Sequence, residues 1–482
     1  MSDPEIQILS ASQLSIPDAL HIKAEVYKST AKTRAPLTAE DWANMKKPKV
    51  LIVGAGIGGL MLANLLQKGN IPFDIYERAN EVKPLGSAMT LGCNVWNVMA
   101  QLGLREEFKS IGIPLKSLEI FNEKLQTVVS IDATTTETLG GTGEFLVSRP
   151  KLYDILLRPI PKERIHLGKK VLSFLQNENG VMIRCADDST VHIHGDILVG
   201  CDGAYSAVRQ LLYKDLKEKK LLPAGDNVPL PYSCVCLVGQ TEVLDPEEFP
   251  GLKGPNSQAY SILGTSRPIN WTTFTTKQNT ICWLVVQFLD KDSAKDNDSF
   301  RNSEWGPEAA EVMCKEVRDF KLPGGKDGAL ITIGDLIDRT PKNLISKVML
   351  EEKVFDTWFS GRTVLLGDDV PELESIFKEY KAERHPIAKE NFAHSQQMRN
   401  IGGKNLVSKA TRQIFRHMPK WLWRLAMIKN AKLRPQASFL PQVEDNGTVK
   451  AGYQPSLHKT LAILKERAEA EKRRDVAAVV AV

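Results

Sequence analysis

The sequence lacks the marks of several large protein classes. Its 482 residues contain seven cysteines, an odd number, and no two of them are spaced as Cys-x-x-Cys, which argues against a zinc or dithiol site of that type. No run of about 18 apolar residues occurs, so a membrane-spanning helix is not expected. The first residues show no basic start followed by an apolar run, and no secretory signal is predicted. We therefore expect an intracellular protein whose cysteines are mostly buried thiols in a reducing compartment.

A large excess of charges of one sign is also lacking over most of the chain. The net charge is +5, from 63 basic and 58 acidic residues, which is too small to indicate a nucleic-acid partner. With 42% hydrophobic and 25% charged residues, the composition is that of an ordinary globular protein. Histidines at metal-ligand spacing are lacking as well. His192 and His194 share one face of a predicted strand and are interpreted as a surface pair, so no metal site is predicted.

One segment departs from this even charge. Residues 391–443 contain ten Lys or Arg and no Asp or Glu. Within it, residues 411–434 interleave cations with bulky apolar residues such as Trp421 and Trp423. Two interpretations stay open. The segment either packs an apolar stripe on the rest of the protein with its charges in solvent, or makes a peripheral contact with a membrane surface.

The first strong pattern along the chain is a strand, a glycine turn, a helix and a second strand. An apolar run ends at Val53, and Gly54, Gly56 and Gly59 then match G-x-G-x-x-G. In this motif the first glycine allows a tight turn, the second admits a pyrophosphate, and the third lets the helix pack closely on the strand. Glu77 ends the second strand, where a carboxylate can accept hydrogen bonds from a ribose. The pattern predicts an adenine-dinucleotide site at the helix N-terminus.

Two more motifs follow in the chain. Asp202-Gly203 lies between a predicted strand and a helix that carries Ser206 and Arg209, and residues 367–368 end another predicted strand as Gly-Asp. Each motif alone is common, because strands often end in such turns. Their order and spacing together are not common.

On these three motifs, residues 49–386 resemble the FAD-dependent aromatic-hydroxylase type of flavoprotein monooxygenase, with the p-hydroxybenzoate hydroxylase fold. Within that family the chain is similar to the fungal salicylate-hydroxylase-like and indole-terpenoid epoxidase branch. Residues 85–92 and 147–152 resemble two shorter family segments, the turn after the ribose carboxylate and the S-R-x-x-L element. The resemblance implies that eight residues line the FAD site: Gly54, Gly56, Gly59, Glu77, Thr90, Arg149, Asp202 and Asp368. For Arg149, a charge at a helix start is an equal alternative.

The resemblance also implies an activity. In this family NAD(P)H reduces the FAD, O₂ adds to the reduced ring, and the flavin hydroperoxide transfers one oxygen atom to a bound substrate, while the protein positions that substrate and excludes water. The implied substrate is an apolar aromatic or olefinic small molecule that is hydroxylated or epoxidised. The presence of a single G-x-G-x-x-G fits a family that needs no separate nicotinamide domain. No catalytic residue is assigned. Four aromatic residues either line an apolar pocket or form ordinary core: Trp271, Phe274, Trp283 and Phe288.

The sequence departs from the family after Gly367-Asp368. The family continues with a Pro-x-x-Gly-x-Gly turn and a helix against the flavin ring, whereas this chain goes directly to residues 376–386, which resemble a later family element. Such a loss would remove backbone N–H donors and a helix dipole from the flavin region. We therefore expect weaker FAD binding than in relatives. This leaves an alternative function, a truncated flavin-fold protein with weak or no catalytic activity.

These observations predict an α/β fold: a Rossmann-like FAD-binding parallel sheet, an inserted antiparallel-sheet substrate domain and a helical C-terminus. Four parts of the chain are predicted. They are an N-terminal extension (1–46), a discontinuous FAD-binding domain (47–115, 148–230 and 346–390), a substrate domain (116–147 and 231–345) and a basic helical C-terminal region (391–482). The predicted location is cytoplasmic or peripherally membrane-associated.

Overall fold

The structure is a computed structural model, and it describes most of the chain between residues 47 and 480. The described residues are 47–81, 88–187, 191–228, 230, 232–264, 267–289, 307–351, 353–365, 379, 381–393, 413–414 and 418–480. The predicted N-terminal extension, Gly367-Asp368 and residues 369–378 lie outside these ranges. Residues 47–472 belong to one compact unit.

The β-strands of the described residues are short, as expected for a chain in which glycine and polar turns follow closely on apolar runs. They are β1 (Val50–Val53), β2 (Phe73–Tyr76), β3 (Ala88–Leu91), β4 (Ile113–Leu115), β5 (Ser117–Asn122), β6 (Thr127–Asp132), β7 (Glu144–Ser148), β8 (Ile165–His166), β9 (Val171–Asn177), β10 (Gly180–Cys185), β11 (His192–Gly195), β12 (Ile197–Gly200), β13 (Tyr232–Gln240), β14 (Ala259–Leu263), β15 (Ile269–Thr275), β16 (Ile281–Phe288), β17 (Lys321–Leu322), β18 (Ile331–Thr332), β19 (Ser346–Glu351), β20 (Phe359–Ser360) and β21 (Thr363–Val364).

The α-helices of the described residues connect these strands and form the end of the chain. They are α1 (Ile57–Lys68), α2 (Cys93–Leu102), α3 (Arg105–Ile111), α4 (Thr134–Gly140), α5 (Arg149–Leu157), α6 (Ala207–Glu218), α7 (Pro307–Glu316), α8 (Ile333–Asp338), α9 (Lys420–Lys432) and α10 (Pro455–Val480).

A six-stranded sheet organises the first half of the molecule. Its strand order is β20-β21-β12-β1-β2-β8, and every pairing is parallel except that of β20 with β21. All four residues of β1 are buried, as expected for a parallel sheet covered on both faces. The carboxyl ends of β1, β2 and β12 meet at one edge, the usual ligand-binding edge of such sheets. The predicted α/β fold class is confirmed.

The alternating residues of β1 show which layers cover the sheet. Ile52 packs with Leu60 of α1 in one core cluster. Leu51 packs with Ile183 of β10 in another. Because successive strand residues point to opposite faces, helices cover one face and the antiparallel sheet β11-β10-β9 covers the other.

A second large sheet has seven strands, in the order β19-β13-β16-β15-β14-β5-β6. Its pairings are antiparallel except that β14 and β5 run parallel. Trp271 and Trp283 are 5% and 0% exposed and pack with Met313 of α7 and Leu336 of α8. For these two aromatic residues, the core interpretation is therefore confirmed.

Two strands belong to other sheets than the predicted division of the chain implies. Strand β19 pairs with β13 in the seven-stranded sheet, although the prediction begins the last FAD-binding segment at residue 346. Strand β7 joins β3 and β4 in a separate three-stranded sheet, although the prediction assigns residues 116–147, and with them most of β7, to the substrate domain. The domain boundaries themselves stay a prediction.

Residues 433–454, here named the C-terminal strap, are not helical and dock on α2 and α4. The side chain of Gln101 on α2 accepts a hydrogen bond of 2.8 Å from the backbone N–H of Ala437 and donates one of 3.0 Å to its carbonyl. The guanidinium of Arg434 is nearly buried and donates to both carboxylate oxygens of Asp445, at 2.7 and 2.6 Å. A bidentate pair of this kind joins two parts of the strap to each other and fixes its fold.

Candidate cofactor site

A cavity of about 270 Å³ opens at the carboxyl edge of the parallel sheet. Its lining combines the ends of three parallel strands with the first residues of β9 and α6. The lining residues are Val53, Gly54, Gly56, Tyr76, Glu77, Arg78, Lys169, Lys170, Val171, Cys201, Asp202, Gly203, Tyr205 and Ala207. Four of the predicted site residues, Gly54, Gly56, Glu77 and Asp202, therefore come together here.

The glycine turn after β1 leaves no room for a side chain at two of its glycines. Gly54 has φ +104°, and a Cβ there would lie 2.4 Å from the carbonyl oxygen of Cys201. A Cβ on Gly59 would lie 2.1 Å from the carbonyl oxygen of Gly54. Neither distance can be accommodated without moving backbone. These two glycines thus fix the close approach of β1, α1 and the end of β12.

Gly56 differs from the other two glycines because it faces open space. A Cβ added to it would meet no atom within 4 Å, and the residue is exposed. It stands directly before the first residue of α1, where no side chain caps the helix and the first turn carries no acidic residue. The first N–H groups of a helix and its positive dipole end bind anions. Gly56 and the start of α1 therefore suit a pyrophosphate.

The carboxylate of Glu77 joins the end of β2 to the glycine turn. Its Oε2 accepts a hydrogen bond of 2.8 Å from the backbone N–H of Ala55, and its Oε1 accepts one of 2.9 Å from the N–H of Ala79. Each carboxylate oxygen has two lone pairs, so both can accept a further hydrogen bond. Glu77 can accept hydrogen bonds from the hydroxyls of a ribose without giving up its backbone partners.

Asp202 holds the start of α6. Its carboxylate accepts hydrogen bonds from the backbone N–H groups of Ala207 (2.6 Å) and Val208 (3.3 Å) and from the hydroxyl of Ser206. A carboxylate at a helix N-terminus satisfies N–H groups and is favoured by the dipole. Burial, with the nearby charge of Asp202, raises the pKa of the Cys201 thiol to about 12. The cysteine beside the cavity is therefore a neutral thiol.

Three cations on the cavity wall escaped the sequence reasoning: Arg78, Lys169 and Lys170. The pairing of β8 with β2 brings the two lysines there, since the N–H of Glu77 donates to His166 at 2.9 Å and the N–H of Lys169 donates to Glu77 at 2.7 Å. Lys169 and Lys170 follow Glu77 by 92 and 93 positions. No local sequence pattern predicts this contact, because it depends on which strands are neighbours in the sheet. Lys169 also pairs with Asp187. The charges of Arg78 and Lys170 favour an anionic ligand.

The ring of Tyr76, one position before Glu77, packs on an aromatic neighbour. It stacks on the imidazole of His166 with ring centroids 4.9 Å apart and an interplanar angle of 14°. Asp74, on the same strand, forms an ion pair of 2.7 Å with Lys49 and lies 3.3 Å from His166. Burial and the charge of Asp74 raise the pKa of Tyr76, so its hydroxyl stays neutral.

Neither Thr90, on β3 of the three-stranded sheet, nor Arg149, directly after β7 of that sheet, is among the residues that line the cavity. Thr90 pairs with Leu146 on β7, and Arg149 is the first residue of α5; both are exposed. Their assignment to the cofactor site stays a prediction. Asp368 lies outside the described residues.

The residues present fit the adenosine and pyrophosphate part of FAD. An exposed glycine at an uncapped helix start, a ribose-directed carboxylate and a cationic wall are the donor set that a nucleoside diphosphate requires. The cavity volume of about 270 Å³ lies just below the roughly 300–1,000 Å³ of complete ligand pockets. It therefore suits one half of a dinucleotide.

This arrangement of strand, glycine turn, helix and ribose carboxylate defines a dinucleotide-binding flavoprotein fold, and comparisons with known proteins agree. Residues 47–226 match the FAD binding domain family. The FAD-dependent monooxygenase ptmM of Penicillium ochrochloron is 30% identical over 334 residues, which cover 68% of this chain and 73% of that protein. The chain belongs to the family of FAD-dependent monooxygenases. The resemblance seen in its motifs is confirmed, and FAD is its cofactor.

Two further comparisons set the range of this likeness. The FAD-dependent monooxygenase paxM of Penicillium paxilli is 30% identical over 333 residues, which cover 67% of this chain but only 64% of that protein. The crystal structure of Klebsiella pneumoniae HpxO complexed with FAD and uric acid matches with a TM-score of 0.59 and 19% identity, covering 80% of this chain and 97% of that one. The second likeness concerns the fold.

Cysteines and membrane spans complete the description. All seven cysteines are free thiols and six of them are buried, which confirms that most are small buried side chains. None of the helices in the described ranges is long and apolar enough to cross a bilayer.

Proposed function

We propose that this protein is an FAD-dependent monooxygenase that uses NAD(P)H and O₂ to insert one oxygen atom into an apolar aromatic or olefinic small molecule. The observation that carries the proposal is the hydrogen-bonded union of Glu77 with the glycine turn at the cavity, in a chain whose relatives bear the name FAD-dependent monooxygenase. Both hydroxylation and epoxidation fit the proposal.

The residues of this chain supply binding and orientation. Bound FAD supplies the redox and oxygen chemistry. Gly56 and the start of α1 hold the pyrophosphate, and Glu77 accepts hydrogen bonds from the ribose hydroxyls. The cations on the cavity wall offset the phosphate charge. In this proposal Thr90, Arg149 and Asp368 also line the cofactor site. The role of Asp202 is to hold α6 in place beside the cofactor.

The proposed substrate region is the seven-stranded sheet. Strand β13 of this sheet meets β7 of the three-stranded sheet through a partly buried hydrogen bond, in which the Ser148 hydroxyl donates to Gln240 at 3.1 Å. Gln240 in turn donates to Thr280 at 3.0 Å. Ser148 directly precedes Arg149. These contacts couple the sheet proposed to hold the substrate to the segment proposed to hold the cofactor.

The test is oxygen transfer from isotopically labelled O₂. Purified protein loaded with FAD is supplied with NADH or NADPH and a panel of polycyclic aromatic and olefinic compounds, and products are analysed by mass spectrometry. The expected product carries one labelled oxygen atom, with NAD(P)H consumed in proportion. The Glu77→Gln variant serves as a control with impaired cofactor loading. Turnover of a substrate without labelled oxygen would contradict the proposal and indicate a dehydrogenase.

A second candidate function rests on the residues after Gly367-Asp368. The sequence there lacks the glycine turn and helix of the family, which favours a flavin-fold protein with weak or no activity. The absorbance spectrum of the purified protein separates the candidates. Stoichiometric bound flavin with substrate-stimulated NAD(P)H oxidation supports the monooxygenase. Colourless protein that regains no flavin on incubation with FAD supports the second candidate. The predicted location, cytoplasmic or peripherally membrane-associated, stays a prediction.

A further inference from the structure

Helix α9 carries apolar side chains on two opposite sides. At 100° per residue, Trp423, Met427 and Ala431 fall on one side of the helix. Ala431 is completely buried, and Trp423 and Met427 are partly buried. Helix α9 contacts α4 and α2, so one apolar side is accounted for by packing within the protein. This agrees with the first of the two interpretations of the basic segment.

The opposite side of α9 is apolar as well, and it is exposed. Trp421 is 64% exposed, Leu425 54% and Leu422 37%. Trp421 and Leu425 are four residues apart and therefore adjoin on the helix surface. We name these three residues the tryptophan face. Lys429 and Lys432 project on the same side of the helix and are exposed. Exposed apolar side chains interleaved with cations are typical of a helix that lies in a membrane interface.

Cations surround the tryptophan face. Arg424 is exposed one position from it, and Lys429 lies one helical turn from Leu425, where it also pairs with Glu390. In the sequence, residues 391–443 hold ten Lys or Arg and no Asp or Glu. On α9 itself Arg424, Lys429 and Lys432 are exposed cations, and cations beside an apolar face are complementary to anionic lipid headgroups.

The geometry points to a lipid surface as the occupant. We propose that α9 lies in the interface of a bilayer containing anionic phospholipid, with the tryptophan face in the boundary between headgroups and acyl chains. Tryptophan is enriched at this depth because its ring is apolar and its N–H is polar. Three side chains are far fewer than the roughly 20–30 residues per side of a stable protein interface, whereas a shallow apolar insertion assisted by cations suffices at a membrane. The proposal does not depend on the proposed enzymatic activity.

Co-sedimentation with vesicles tests the proposal on the full-length, FAD-loaded protein. Vesicles of phosphatidylcholine with and without phosphatidylserine are compared at low and high salt. We expect binding that requires phosphatidylserine, falls with salt because exposed charges are screened, and drops about tenfold or more in the Trp421→Ser/Leu425→Ser double variant. The matched control is Val312→Ser, which removes an apolar residue 55% exposed on α7 and should leave binding unchanged.

Three results would overturn the proposal. They are equal binding of the wild type and the double variant, equal binding to vesicles with and without phosphatidylserine, and a change of oligomeric state in the double variant without lipid. The last result would indicate a second copy of the chain as the occupant. Flavin content and melting temperature are measured for every variant. Because the substituted side chains are exposed, both should stay at wild-type values, and a variant that loses either is replaced by Trp421→Ser alone.

Discussion

The Oε2 atom of Glu77 accepts a hydrogen bond of 2.8 Å from the backbone N–H of Ala55, inside the glycine turn. This contact joins two elements that lie 22 residues apart in the chain. It places the carboxylate beside the open side of Gly56, where one ligand can touch both. The cofactor site depends on this relationship, and it leads to the first prediction.

Replacing Glu77 with Gln should weaken FAD binding strongly. In the variant one of the two accepting oxygens becomes an NH2 group, which cannot accept from the N–H of Ala55 or Ala79, and hydrogen bonds to a charged acceptor contribute about 1.5–3 kcal/mol each in general. We expect the Kd for FAD to rise about 10- to 100-fold, as measured by quenching of flavin fluorescence. Glu106→Gln is the matched control, because its side chain is 81% exposed on α3. Unchanged affinity in the Glu77 variant would exclude this residue from the ribose contact.

Gly54→Ala should damage folding. The added methyl would stand 2.4 Å from the oxygen of Cys201 at a backbone φ of +104°, and both the clash and the strained conformation are costly. We expect a loss of about 3 kcal/mol or more in the free energy of unfolding, measured by urea denaturation. Wild-type stability in this variant would mean that the glycine turn has another conformation.

Gly56→Ala should behave oppositely, which makes it the companion of the Gly54 variant. Its added methyl meets no protein atom within 4 Å, so the stability of the apoprotein should stay within about 0.5 kcal/mol of wild type. The methyl would stand where we propose that the pyrophosphate approaches, and FAD affinity should fall at least about tenfold. Equal affinity of this variant and wild type would place the pyrophosphate elsewhere.

Asp202→Ala should loosen α6. The carboxylate accepts hydrogen bonds from Ser206, Ala207 and Val208, and loss of a helix cap costs roughly 1–2 kcal/mol. Chemical denaturation should show that loss, with a smaller one of about 1 kcal/mol for Ser206→Ala. If Asp202→Ala changed FAD affinity without any change in stability, direct contact with the cofactor would be its main role.

The Arg434–Asp445 pair should make the C-terminal strap sensitive to acid. Arg434 holds the pKa of Asp445 below its usual value, so the pair stabilises the fold above the unfolded pKa of about 4, and this contribution is lost as the pH falls through the depressed folded pKa. At neutral pH, Asp445→Asn should cost about 2 kcal/mol of unfolding free energy, since it leaves the Arg434 guanidinium buried without its charge partner.

The pH dependence provides the check on this pair. The difference in unfolding free energy between wild type and Asp445→Asn should shrink as the pH drops below about 4. A difference that stays constant across this range would mean that hydrogen-bond geometry, and not ionisation of Asp445, supplies the stability.

Local sequence patterns predicted the residues of the candidate site that are close in the chain. They missed the residues that reach the site only through the order of strands in the sheet. Gly54, Gly56 and Glu77 were predictable because a turn, a helix start and a strand end follow one another directly. Lys169 and Lys170 were not, since their place on the wall depends on the pairing of β8 with β2. Similarly, periodicity could not show that α9 is apolar on both sides and buries only one of them.

The central claim is that this chain binds FAD with the adenosine half in the cavity beside Glu77. A calorimetric titration of the apoprotein with FAD, repeated in the presence of excess ADP, tests it most directly. We predict one FAD per chain and an apparent affinity that ADP lowers, because ADP carries the same adenosine and diphosphate groups. Binding of FAD that ADP does not affect, or no binding at all, would contradict the claim.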